Sequence, residues 1–91
     1  MNGEHEPSGR PVEVRCYSGF KGEERPLSFT YMDRTLEVLE VERSWYEEDR
    51  AAPGGRRKAC FRVRADDGSV YVLSRYEQEE QWVLERVLFF T

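Results

Sequence analysis

The sequence predicts an all-β domain, a small antiparallel meander that closes as an SH3-like barrel of five or six strands. Three observations predict it. Apolar and polar residues alternate in several short runs, each run ends in turn chemistry, and 91 residues are too few for a second domain. Residues 1–10, rich in Gly, Pro, Ser and Glu, are expected to form a disordered tail, leaving 11–91 as one domain. A chain of this length buries only about 60% of its unfolded surface, so the core must be thin.

In Pro11 to Tyr17, Val12, Val14 and Cys16 fall on one face and Glu13, Arg15 and Tyr17 on the other, the period of a half-buried strand. Gly19 and Gly22 permit positive φ and Pro26 holds Arg25 extended, so 18–26 is a shaped loop. Leu27, Phe29 and Tyr31 alternate with Ser28, Thr30 and Met32, and Asp33-Arg34 turns the chain into a hairpin. From Thr35 to Trp45 the alternation slips at Val38-Leu39, a slip that a β-bulge absorbs. Val38, Val41 and Trp45 also fit a helical period, but the β-branched content and the preceding turn favour strand. Glu47 to Arg57, centred on Ala51-Ala52-Pro53-Gly54-Gly55, reads as a mobile loop.

The clearest alternation follows. Ala59, Phe61, Val63 and Ala65 face one way and Lys58, Cys60, Arg62 and Arg64 the other, before Asp66-Asp67-Gly68 and a second run, Ser69 to Tyr76. Gly68 supplies the left-handed residue of this hairpin's turn. The end of the chain carries two patterns. Ser74-Arg75-Tyr76-Glu77 matches a capping box and Val83, Leu84, Val87 and Leu88 recur at helical spacing, so a C-terminal helix from Arg75 is the alternative. Strand is preferred, because Trp82 to Leu84 and Val87 to Phe90 also alternate and a last strand covers an otherwise open edge. Trp45 and Trp82 are both expected in the core.

Composition removes several function classes. The net charge of −4 and pI of about 5.1 oppose general coating of a polyanion. His5 sits in the tail between Glu4 and Glu6, where nothing holds it against a nucleophile or a metal, and neither Cys16 nor Cys60 has a histidine partner. The two cysteines read as free thiols. Glu23-Glu24, Glu47-Glu48, Asp66-Asp67 and Glu79-Glu80 read as solvated turns rather than acid/base pairs. No phosphate-cradling glycine motif occurs, and no cofactor, metal or catalysis is expected. Without a signal peptide or an apolar run near eighteen residues, the expected location is the cytoplasm.

The basic residues carry the remaining signal. All fourteen are Arg except Lys21 and Lys58, which suits bidentate contacts to carboxylate or phosphate, although a GC-rich coding bias produces the same composition. Arg56, Arg57 and Lys58 lead into the strand bearing Arg62 and Arg64, a positive stripe of about 25 Å at about 3.4 Å per residue. With Tyr17 or Tyr76 nearby it has the ingredients for single-stranded nucleic acid; the competing and favoured reading pairs it with acidic neighbours, particularly residues 77–80. Lys21 and Arg25, in the Gly19 to Pro26 loop, are a second candidate contact set for an anion.

Gly22-Glu23-Glu24-Arg25-Pro26, then Phe29, Trp45, the run from Phe61 through Asp66-Asp67-Gly68 to Tyr71 and Leu73, and finally Trp82 stand in a distinctive order. In this the chain, from about Tyr17 to Leu84, resembles an uncharacterised family of small bacterial β-domains. That family has a G-x-E-R-P segment before an F/Y strand, a central Trp, an F-x-V-x-x-D-D-G-x-x-Y-x-L hairpin and a terminal W-x-L. The resemblance implies no catalytic residues. It implies an association with DNA repair, since some members are encoded near error-prone DNA polymerases, and it supports a strand at Trp82 to Leu84.

The expected function is a non-catalytic binding or adaptor module that docks onto a protein or a nucleic-acid assembly through Lys21, Arg25, Arg56, Arg57, Lys58, Arg62 and Arg64. One alternative is a homodimer built on an exposed strand edge with Phe89-Phe90 as the apolar contact. The other is a small ligand binder or enzyme using carboxylates and Arg25 in the barrel mouth, which a concave pocket enclosing Arg25 and two carboxylates would favour and a flat, filled barrel would end.

Overall fold

A computed structural model of the chain describes residues 9–18, 24–51 and 54–88. Six strands follow one another: β1 (Arg10–Ser18), β2 (Glu24–Tyr31), β3 (Arg34–Asp49), β4 (Arg56–Ala65), β5 (Val70–Tyr76) and β6 (Trp82–Leu88). Each is antiparallel to the next, and β6 returns to β1 through Arg10↔Leu84, Pro11↔Val83 and Val12↔Trp82, closing the barrel. The expected all-β meander is therefore the fold, and among the described residues there is no helix. The helical alternative for the last segment gives way to β6, whose pairing with β5 satisfies backbone groups that a helix would have turned inward on itself.

Alternate side chains build the core. Val12 of β1, Phe29 of β2, Leu36 of β3, Val63 and Ala65 of β4, Tyr71 and Leu73 of β5, and Trp82 and Leu84 of β6 form one buried cluster. The Phe29 ring meets Tyr71 edge-on at 4.9 Å between centroids, the geometry that opposed ring quadrupoles favour. Two turns set the hairpin registers. Met32 and Asp33 both have positive φ (53° and 63°), so the β2–β3 turn centres on these two residues and Arg34 already belongs to β3, one position earlier than Asp33-Arg34 predicts. Gly68 has φ 87° as its turn requires, and Asp67 Oδ1 accepts the Ser69 backbone N–H at 3.0 Å beside it.

Bulges explain where exposure departs from simple alternation. Val38 pairs with Ala65 and Glu40 with Arg64, so Leu39 is the extra residue foreseen at the Val38-Leu39 slip, and it points outward at 61% exposure. A second bulge at Glu42, between Val41↔Val63 and Arg43↔Arg62, has no sequence signal. On β2, Arg15↔Ser28 is followed by Cys16↔Pro26, which makes Leu27 the extra residue; it is 45% exposed although Leu27-Phe29-Tyr31 alternates formally. A fourth bulge, at Glu85 of β6, falls between Val72↔Arg86 and Leu73↔Leu84.

Two expectations are corrected. Residues 47–57 are not one loop: Glu47, Glu48 and Asp49 pair with Lys58, Arg57 and Arg56, so only the tip from Arg50 to Gly55 lies between the strands. Its left-handed Gly54 and Gly55 (φ 79° and 74°) confine the reversal to that tip. Trp45 is half-buried outside the core, because its outward register places the indole beside Arg43 and lets Nε1 donate to Glu47 Oε2 at 2.9 Å. Residues 1–8, including His5 and most of the expected tail, lie outside the described residues, and Arg10 belongs to β1.

Candidate functional site

The positive stripe exists as a row of strand positions, and each of its cations faces a carboxylate. Arg56 pairs with Glu79, Arg57 with Glu77 at 3.2 Å, Arg62 with Glu42 at 3.2 Å and Arg64 with Glu40 at 2.9 Å. Lys58 Nζ lies 2.8 Å from Glu85 and 3.9 Å from Glu47. Residues 77–79 supply two of these acids, as the pairing alternative expects; β3 and β6 supply the rest. The stripe is thus electrically balanced on the barrel wall, and a phosphate backbone would have to displace its acids. Exposed pairs of this kind contribute about 0–1 kcal/mol each.

Under Lys58 the wall encloses a polar cluster. Ser74, 2% exposed, donates its hydroxyl to Glu85 Oε2 at 2.6 Å, and Lys58 donates to the same oxygen. The Glu85 bulge is what brings this carboxylate over β5 to reach β4. Burial alone would raise the Glu85 pKa, but the hydrogen bonds from Lys58 and Ser74 outweigh it and hold the carboxyl below its ordinary range. Burial would likewise lower Lys58, and Glu85 outweighs it, so the ammonium titrates above its ordinary value.

Cys60 belongs to the same outward row yet is buried, between Trp45 of β3 and Ser74 of β5, which corrects the expectation of an exterior position. Burial first, and the Glu47 carboxylate second, push its thiol up to about 12. Both cysteines are free thiols as expected. Because the thiolate is the reactive form, iodoacetamide at pH 8 should modify the half-buried Cys16 in the folded protein and Cys60 only after denaturation. Mass spectrometry of the labelled peptides checks this; equal labelling of both in the folded state would contradict it. Among the described residues no group of three or more His, Cys, Asp or Glu side chains is gathered to hold a metal ion.

One of the concave features among the described residues is the barrel mouth. β2 and β3 pair only over Ser28–Tyr31 and Arg34–Glu37; beyond these the bulges at Leu27, Leu39 and Glu42 bend the strands apart. An open cavity of about 350 Å³ lies there, bordered by Arg25 of β2, Ser44 and Tyr46 of β3, Phe61 of β4, Arg75 and Glu77 after β5's centre, and Trp82 of β6. Phe61 and Trp82 pack with ring centroids 5.6 Å apart, an aromatic floor. The Arg75 guanidinium lies 5.7 Å from the Trp82 ring, and its Nη1 donates to the Glu79 carbonyl at 2.7 Å, which fixes its direction. At the rim Arg57 stacks on Tyr46 at 4.5 Å while pairing with Glu77.

Of the predicted contact residues, the structure brings Arg25 to this mouth and Arg57 to its rim. Arg62 and Arg64 lie further along the wall, Arg56 stacks on Tyr76 at 4.1 Å, and Lys21 lies outside the described residues. Arg75 and Tyr46 are functional candidates that the sequence reading passed over. Arg75 had a signal: it shares the inward parity of Tyr71 and Leu73, and an arginine on a core-facing register marks the open end of a barrel.

A family model described as Domain of unknown function (DUF6504) matches residues 7–88, so the shared region takes in β1 and all of β6 beyond the Tyr17 to Leu84 span of the motifs. No curated protein and no solved structure matches the chain.

Proposed function

We propose that this chain, which belongs to the DUF6504 family of domains of unknown function, is a non-catalytic binding module of the cytoplasm that engages a protein partner through its barrel mouth. The barrel is used in the SH3-like manner, with strands for the core and one open end for recognition. The observation that carries the reading is the juxtaposition of Arg25 and Arg75 with the Phe61–Trp82 floor in one cavity. Guanidinium groups beside aromatic rings supply directed charge recognition together with desolvation, the combination found at the energetic centres of protein interfaces. The stripe from Arg56 to Arg64, balanced by its own carboxylates, supports an adaptor that meets a nucleic-acid or DNA-repair assembly through protein rather than by wrapping the strand itself.

Affinity capture from a native host extract, with and without nuclease, tests this. Captured protein should survive nuclease, be lost with Arg25→Glu or Tyr46→Ala, and be retained with Arg62→Glu/Arg64→Glu. Capture that vanishes with nuclease and with the Arg62/Arg64 double variant would replace the reading by direct nucleic-acid binding along the wall.

A further inference from the structure

Strand edges at the mouth leave backbone groups without sheet partners. Among the described residues β3 pairs with β2 only through Arg34–Glu37; from Val38 to Asp49 its pairings are all with β4, so its other edge is open. Glu24, Arg25 and Pro26 of β2 likewise pair only with β1. Both open edges border the same cavity, through Arg25 on one side and Ser44 and Tyr46 on the other. From Arg43 to Asp49 β3 has regular register with no bulge, the form of edge that templates a further strand.

We propose that an extended segment of a partner protein, apolar with one acidic residue, inserts between β2 and β3 as an additional strand of the barrel. This rests on the mouth being the binding end. Main-chain hydrogen bonds to the β3 edge supply affinity, and alternate side chains supply selectivity. The inward residue meets Phe61 and Trp82 and is apolar. An acidic neighbour meets Arg25, which is exposed and, among the described residues, pairs with no carboxylate, whereas Glu77 is already held by Arg57. A second copy of this chain fits the edge poorly, because its own β3 would bring Glu37, Glu40, Glu42, Glu47 and Glu48 to an edge that carries the same five, whereas the partner segment brings one acid and places it at Arg25.

The test selects randomised linear decapeptides displayed on phage against the full chain, then measures synthetic copies by fluorescence anisotropy. Selected peptides should carry Asp or Glu next to an aromatic or aliphatic residue. Methylating alternate backbone nitrogens of the peptide should weaken binding more than tenfold, as should Arg25→Glu, while Arg15→Glu on the exposed face of β1 should not. Peptides that lose affinity with Tyr46→Ala yet tolerate N-methylation would overturn strand insertion and leave the mouth as the binding end. Failure to recover any peptide sensitive to Arg25→Glu or Tyr46→Ala would overturn both. Sedimentation of the free chain as a dimer that selected peptides dissociate would assign the edge to a second copy and overturn the choice of occupant.

Discussion

Replacing Phe29 by alanine is expected to destabilise the domain by about 3–5 kcal/mol, the range for deleting a fully buried aromatic ring that its surroundings cannot refill. Phe29 is 1% exposed and lies between Val14 of β1 and Leu36 of β3, with the Tyr71 ring against it. A chain of this size has about 5–10 kcal/mol in total, so the substitution removes a large part of its stability. Urea unfolding should show the midpoint falling by about 2 M or more at an unchanged slope. Leu27→Ala and Leu39→Ala, at bulge positions with exposed side chains, should stay within about 0.5 kcal/mol of the parent. If Leu27→Ala costs as much as Phe29→Ala, the bulge assignment on β2 is wrong.

Glu85→Ala is expected to cost about 2–3 kcal/mol, far more than any exposed ion pair on the same wall. It strips the acceptor from the Ser74 hydroxyl, which is buried, and from Lys58, which is mostly covered. A double-mutant cycle with Lys58→Met should recover part of the loss, since the pair is removed together. The pH dependence follows from the directions of the shifts. The lowered Glu85 contributes stability that is full above its unfolded value, about 4.3, and is lost as pH falls through the lower folded value. The raised Lys58 contributes stability that is full below about 10.4 and is lost as pH rises through the higher folded value. Glu85→Ala should therefore flatten both limbs of a stability-against-pH curve. Asp67 keeps a share of the acid limb: burial would raise it, but hydrogen bonds from Tyr71 and the Ser69 amide hold it low. An acid limb unchanged in Glu85→Ala would contradict the account.

The strands and their order were legible wherever one face is buried and the other wet. Val12-Val14-Cys16, the Phe61 to Ala65 run and the Asp66-Asp67-Gly68 turn announce themselves by period and φ requirement, and even the bulge at Leu39 shows as a broken alternation. The ends of β3 and β4 did not show, because Glu47 to Asp49 and Arg56 to Lys58 are all charged and stand next to Pro53-Gly54-Gly55. There cross-strand ion pairs and cation–aromatic stacking take the place of a hydrophobic face. The Leu27 bulge was hidden by an alternation that is formally intact. The stripe itself is legible, and so are its acids in residues 77–80; Glu40, Glu42 and Glu85 are not, since all three are bulge or bulge-flanking positions whose direction only the pairing fixes. Arg75 on a core-facing register marks one wall of the mouth, but where β2 and β3 part is set by pairing and bulges that no local pattern encodes.

The closure between β1 and β6 consists of three residue pairs, and β6 runs on past Leu84 on the side from which β1 begins. The two chain ends therefore leave the seam on the same side. Tension applied through them loads the hydrogen bonds one after another, as in a zip, instead of shearing them all at once. A pull on the ends is therefore expected to open the β1–β6 seam first, while β1 is still held by its pairing with β2 and the β3–β4–β5 sheet stays intact.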